Sequence, residues 1–466
     1  MVQQSLLNNN LLYFYMAHFK PIQRDTNYLF PPSMNDWLPE HHLARFVVEI
    51  VEQLDLKAME SVYGTSGSAP FHPALLLSIL VYGYATGVFS SRKLENATYN
   101  SVAFRFVAAN EHPDHDTLNT FRKRFLSQIE VLIVQVLMIA RTMGVLNLGR
   151  IALDGSKLKA NASKHSALSY GYIKQLEVQL QAEVKKLMAL AEAADNEKIP
   201  DGMNVPEEIA RREDRLRAIG VAKAKIEQRA RERHAEEEAE YKAKVAKREE
   251  KTRHNGKPPR GKAPVAPIEG ARDSDQINLT DEESRIMKVS GGGFEQCYNG
   301  QLAVDMDSML IVNTDTVQAC NDKQQIQPAV ERLAELPDAL GKLEHLVADA
   351  GYCSEANVKA CVEQKVIPLI AVSREHHHPD PLARFTEPPP LKENATEMES
   401  MRHALLTMAG RALYAQRKST VEPVIGIIKS VLGFRQFSLR GLENVKGELN
   451  LVAMAWNLKR MFVLAG

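Results

Sequence analysis

The chain has 466 residues, enough for two or three domains and a substantial core, so a mini-domain held together by a few staples is excluded. Its 58 Lys and Arg balance 58 Asp and Glu, so any grip on a polyanion must come from local basic patches and not from overall charge. The four cysteines, Cys297, Cys320, Cys353 and Cys361, form no CxxC pair and no signal-like start is present, which points to a reducing cytoplasm.

Residues 1–18, with Asn8-Asn9-Asn10 and no periodic pattern, read as a leader outside the fold. Residues 19–147 read as a helical N-terminal domain. Apolar residues recur there at helical spacing: Phe46, Ile50, Val51 and Leu54, then Leu75, Leu76, Ile79 and Leu80, then Ile129, Leu132, Ile133, Val136 and Leu137. The most apolar stretch, Pro73 to Val88, contains Tyr82, Gly83 and Tyr84 and falls short of the ~20 residues a membrane span needs, so it reads as a buried helix with no membrane partner. Two segments pair a polar cap with a basic helix. One is Ser90-Ser91-Arg92-Lys93; the other runs from Asp116 or Thr117, as N-cap, through Arg122, Lys123 and Arg124. Arg92, Lys93, Arg122 and Arg124 are therefore candidates for DNA contact, since such a helix fits a major groove or a line of phosphates.

Residues 148–466 change pattern. A strand-like run, Arg150 to Asp154, is followed by a charged helical insertion at about 165–290. Ile173, Leu176, Leu180, Val184, Leu187 and Leu190 give it one apolar stripe, a break falls near Pro200 to Pro206, and Lys251 to Pro267 reads as a flexible basic loop. Strand-like runs at Tyr298–Asp305 and Met309–Val317 form a hairpin. Then come a helix from Asp322 to Leu336, a strand from Leu343 to Asp349, a helix from Ser354 to Gln364 and a strand from Val366 to Val372. The segment from Met398 to Met461 is mostly helical. This order implies an α/β fold in which helices pack on a mixed sheet.

Three carboxylates stand out against that frame. Asp154 and Asp349 each end a short apolar run just before a glycine, as an acid presented at a strand tip does. Glu422 lies in a basic helical stretch with Tyr414, Arg417, Lys418 and Lys429; Lys418, Glu422 and Lys429 share one face if the helix is continuous. Oxygen donors of this kind select Mg²⁺ or Mn²⁺, and two such ions about 3.5–4 Å apart activate a nucleophile and stabilise a leaving oxygen. The structural alternatives are a turn at each aspartate and, for Glu422, a capping box with Ser419. The cations around Glu422 favour a role beside DNA phosphates.

The same residues carry a family resemblance. Asp154-Gly155-Ser156-Lys157, Tyr298-Asn299-Gly300-Gln301, Asn321-Asp322, Asp349-Ala350-Gly351-Tyr352 and the set Tyr414, Arg417, Glu422 and Lys429 resemble the motifs of DDE transposases of bacterial insertion sequences, in the IS4/IS5-like superfamily and its IS1182 group. The Arg-to-Glu spacing is one residue longer than the family's Y-R-E-K signature, whereas the Glu-to-Lys spacing is kept. The resemblance spans about Phe19 to Phe462. It implies an RNase H-like core in which Asp154, Asp349 and Glu422 hold two Mg²⁺ or Mn²⁺ ions, and DNA contacts at Tyr414, Arg417, Lys418 and Lys429. It further implies terminal inverted repeats and target DNA as partners, a homodimer in the DNA complex, and strand cleavage followed by strand transfer. A stand-alone nuclease with the same core and an inactive DNA-binding regulator are the competing readings.

Two features are set aside. His376-His377-His378 is followed at once by Pro379 and cannot easily converge on one ion, and Gly291-Gly292-Gly293 reads as a hinge at the end of the insertion.

Overall fold

A computed structural model of the chain describes residues 33–63, 70–192, 204–257, 259, 261–289, 291–372 and 385–466; the expected leader and His376–His378 lie outside them. The N-terminal third is helical: α1 (Leu43–Glu52), α2 (Lys57–Glu60), α3 (Pro73–Ala85), α4 (Ser91–Asn100), α5 (Val102–Val107), α6 (His115–Arg124) and α7 (Leu126–Thr142). The start of α6 differs from the sequence expectation. Asp114 is its cap, accepting from Thr117 N at 2.6 Å, so neither Asp116 nor Thr117 fills that role. No single helix among the described residues is long and apolar enough to cross a membrane, and α6 with α7 reach that length only together, across a 75° bend.

After β1 (Leu148–Lys159) the chain leaves the sheet through β2 (Ala167–Ser169), α8 (Tyr170–Glu192), α9 (Val205–Asn255) and β3 (Gln276–Asn278). The antiparallel β2–β3 pair roots this arm. Ile173, Leu176 and Leu180 of α8 meet Ile219, Ala222 and Ile226 of α9 in a small core of their own. Beyond Ala230 nothing apolar is buried on α9, yet the helix runs on to Asn255 and ends at Gly256, whose φ of 64° suits a left-handed cap. Good helix formers and same-face pairs such as Glu238–Lys242 at 2.8 Å and Glu240–Lys244 at 2.7 Å sustain it where a loop was expected from Lys251.

The chain returns through β4 (Arg285–Lys288), β5 (Phe294–Asp305), β6 (Ile311–Val317), α10 (Ile326–Ala334), β7 (Gly341–Ala348), α11 (Glu355–Glu363) and β8 (Ile367–Ile370). Gly291, Gly292 and Gly293 all have φ near +90° and close the β4–β5 hairpin, a tight turn where the sequence suggested a hinge. The helix α10 starts four residues later than expected because Asp322 is drawn into a side-chain network and Pro328, lacking an N–H, fits only a first turn. One edge of β5 pairs antiparallel with β1; the other pairs with β6 and, at the start of β5, with β4. On its far side β1 pairs in parallel with β7, which pairs in parallel with β8. The sheet is mixed, as the element order implied.

Four further helices, α12 (Glu397–Leu406), α13 (Met408–Ala415), α14 (Val421–Gly426) and α15 (Leu442–Leu464), complete the fold. Buried on almost every side, α15 packs on β6 and also on α3 and α7, so the N-terminal helices and the sheet share one continuous core. Gly447 permits the closest approach. A Cβ there would lie 2.4 Å from the Leu126 Cβ, so Gly447→Ala is expected to lower stability by about 1–3 kcal/mol, read as a fall in the denaturation midpoint. An unchanged midpoint would show that α7 and α15 are not locked at this point.

Candidate active site

The parallel register of β1 and β7 pairs Leu153 with Ala348, so the next residues along, Asp154 and Asp349, leave the ladder side by side. Asp349 follows β7 directly and caps a 3₁₀ turn (Ala350–Tyr352), its Oδ1 accepting from Gly351 N at 2.8 Å. Asp154 is not at a strand tip. Past Leu153, β1 loses β7 as neighbour but keeps β5 as far as the Lys159–Cys297 pair, so the aspartate lies mid-strand where one of two neighbours stops.

Glu422 comes from α14, which packs on β1 and β5. The capping box does not form: Thr420 caps α14 without a side-chain bond, and its hydroxyl donates back to the carbonyls of Gln416 and Arg417. A continuous helix from Lys418 to Lys429 is not found either. Pro423 has no N–H to give the Ser419 carbonyl, so a 3₁₀ turn (Gln416–Ser419), α14 and a π-helical turn (Ile427–Val431) follow one another.

Arg417 links the acids. Only 11% exposed, its guanidinium donates to Asp154 Oδ2 at 3.3 Å and to Glu422 Oε1 at 2.8 Å. Burial pushes the Asp154 carboxyl up to about 6; Arg417 pulls it down, while Asp349 and Glu422 add to the rise. Three acids that act on one another and only oxygen donors between them are the chemistry of a hard divalent cation site. As they stand, however, the described residues contain no gathered group of three metal-ligating side chains, and the Arg417 guanidinium lies between two of these acids.

A second polar set underlies the first; its members lie in the motifs that carry the resemblance, but the sequence reading gave them no contact with one another. Asp322 Oδ1 accepts from Asn299 Nδ2 and Gln301 Nε2, both at 2.7 Å, and Gln301 Oε1 accepts from the Tyr352 hydroxyl. The set thereby ties β5 to the turn that carries Asp349. Its signal is present in the chain: Asn299 and Gln301 alternate on one face of a strand whose residues from Gln296 onward are all buried. Gly155 makes room for it. The sequence reads this glycine as the mark of a strand tip, but a Cβ there would meet Asp322 Oδ1 and Gln301 Nε2 at 2.5 Å. Gly155→Ala is expected to cost about 2–3 kcal/mol in stability and most of the activity, checked by thermal unfolding alongside a cleavage assay. Full stability and activity would remove this packing role.

The remaining candidates divide. Arg92 and Lys93 are exposed on α4, Lys418 is exposed on the 3₁₀ turn that carries Arg417, and Arg124 is exposed with its guanidinium 5.5 Å from the Tyr63 ring centre and 5.6 Å from that of Phe125. Arg122 is a correction: it is 4% exposed and donates to the Tyr84 hydroxyl, the Phe89 carbonyl and Asn119 Oδ1, so it is a core residue with its guanidinium engaged inside the protein. Arg417, expected to meet the DNA backbone, is instead engaged with Asp154 and Glu422. Lys429 is half-buried and donates to Ser156 Oγ at 3.0 Å and to the Lys157 carbonyl at 3.1 Å, which ties the π-helical turn to β1 and commits two of its three donors. Tyr414 is half-buried against the core from α13.

Compared with known families, residues 267–458 match the family described as Transposase DDE domain, and residues 32–124 match Transposase domain (DUF772). The first match takes in Asp349 and Glu422 and stops short of Asp154. No curated protein and no solved structure matches the chain.

Proposed function

The chain belongs to the DDE transposases, and on that premise we propose that it binds the ends of an insertion sequence and carries out metal-dependent DNA cleavage and strand transfer on an RNase H-like core. The observation that carries this reading is the register that sets Asp154 beside Asp349, with Glu422 joined to Asp154 through one guanidinium.

Asp154, Asp349 and Glu422 would hold two Mg²⁺ or Mn²⁺ ions, which, when bound, activate the attacking oxygen and stabilise the departing one. The first two acids directly follow the last paired residues of two neighbouring strands, and the Gly351 N–H bond to Asp349 fixes the turn beyond, so backbone hydrogen bonds position both. Glu422, about half exposed, closes the site from the solvent side, where a DNA strand can approach. Exposed Lys418 on the 3₁₀ turn that carries Arg417, and Arg92, Lys93 and Arg124 on the N-terminal helices, would hold backbone phosphates and set the register of the DNA. In the first step water bonds to the phosphorus at the element's end and the 3′ oxygen leaves as a hydroxyl. In the second, that 3′-OH bonds to a target phosphorus and displaces the target's own 3′ oxygen. A second copy of the chain in the DNA complex would serve the second end.

The test begins with the DNA on either side of the gene, read for short inverted repeats. A fragment carrying such a repeat should be retarded by the full chain and nicked at the repeat in Mg²⁺, leaving a 3′-OH. Equal cleavage of unrelated DNA would favour a stand-alone nuclease, and binding without cleavage would favour a regulator.

A further inference from the structure

We infer that Arg417 is the resident counter-ion of the carboxylate site, held between Asp154 and Glu422 until a divalent cation displaces it, so that it sets how tightly that cation binds. The inference rests on the metal-site reading above and adds to it a competitor supplied by the chain itself.

Arg417 lies on the short 3₁₀ turn between α13 and α14 and meets acids from two different elements. Without it, a buried Asp154 would face Asp349 and Glu422 with one fewer positive charge to offset them, since Lys157, which also acts on Asp154, lies 3.8 Å from Asp322; a low-dielectric site tolerates that poorly. With it, the oxygens that a cation needs are already accepting hydrogen bonds from a cation. The guanidinium takes one oxygen of each acid and its charge repels an incoming cation, so a cation that uses both carboxylates binds more tightly once Arg417 has moved aside.

The hold is built to be broken. The bond to Asp154 is long at 3.3 Å, the Arg417 Nε is buried with no hydrogen-bond partner, and Glu422 is 45% exposed, so the guanidinium has an exit toward solvent and one donor that gains by taking it. Arg417 is in these terms a positioning residue: it acts through the two carboxylates, before cation and DNA arrive.

The test uses the full chain without DNA and Mn²⁺ as the probe, with free Mn²⁺ followed by electron paramagnetic resonance. Removing two charge-assisted bonds should make R417Q bind Mn²⁺ at least about tenfold more tightly than the wild type. R417K, which keeps the charge but not the two-pronged reach, should fall between them. Asp154→Asn should abolish the binding in either background. In the unaltered chain, phenylglyoxal labelling read by mass spectrometry should modify Arg417 slowly, and at least about tenfold faster once Mn²⁺ saturates the site; this arm stands even where R417Q fails to fold. Equal Mn²⁺ affinity in wild type, R417Q and R417K, or labelling that Mn²⁺ leaves unchanged, with binding still lost in Asp154→Asn, would overturn the role of Arg417 and leave the metal site intact. Mn²⁺ binding indifferent to Asp154→Asn would instead remove the metal site itself.

Discussion

Alanine at Asp154, Asp349 or Glu422 is expected to lower Mg²⁺-dependent cleavage of end-containing DNA by about 10³-fold or more, equivalent to about 4 kcal/mol of barrier, while gel-shift affinity for the same DNA is kept. The size of the effect follows from what each acid offers. Asp154 lies within β1 and Asp349 directly follows the neighbouring parallel strand β7, where its side chain also caps the next turn, so no other side chain is positioned to take the place of either. Glu422 reaches the site from a helix packed on β1 and β5, and Arg417 joins it to Asp154. Ions held by three acids lose affinity and geometry together when one acid is removed. Near-normal cleavage by any one variant would strike that residue from the site, and loss of DNA binding by all three would mean that they shape the fold instead of the chemistry.

Glu448→Ala is expected to destabilise the protein by about 3–5 kcal/mol, the largest effect on stability that the structure implies for a single side chain. Glu448 is fully buried on α15 and accepts from the backbone N–H groups of Ser438 and Leu439, from the Ser438 hydroxyl and from the Tyr84 hydroxyl. Tyr84 in turn accepts from Arg122, so one chain of hydrogen bonds joins α6, α3, α15 and the segment before α15. That segment also lies against β1, with Phe437 N donating to the Lys159 carbonyl at 2.8 Å, and it follows the helices that carry Glu422. Removing the carboxylate strands four donors at once, the Tyr84 hydroxyl and Leu439 N buried and the two of Ser438 half-buried. A urea or thermal midpoint would report the loss, and Glu448→Gln, which keeps one acceptor, should lose less. A change within roughly 0.5 kcal/mol would mean that this network contributes little.

Much of the site was legible because apolar runs announce buried strands. Ile151-Ala152-Leu153 and Leu346-Val347-Ala348 are fully buried, and the acid after each lies where the two strands part. The length of β1 was not legible. Gly155 looks like punctuation, yet the strand continues because β5 remains beside it and because the glycine is needed by Asp322 and Gln301 across the sheet. The burial of Arg122 was invisible for a different reason. Its hydroxyl partner is 38 residues away, and the carboxylate behind that is 364 residues from the tyrosine. Local pattern shows three basic residues on a helix and cannot say that one of them points inward to an acid near the other end of the chain. The same holds for Arg417, 263 residues from Asp154: the motif supplied its identity, and only the fold shows that it faces carboxylates.

The divalent cation site proposed for this chain draws one carboxylate from within β1, one from the end of β7 and one from α14. Crystals of the full chain soaked in Mn²⁺ and measured at the manganese absorption edge test it most directly. The account predicts anomalous density within about 2.2 Å of carboxylate oxygens of Asp154, Asp349 and Glu422. Density confined to other side chains, with Asp154 and Glu422 still paired to Arg417, would contradict it.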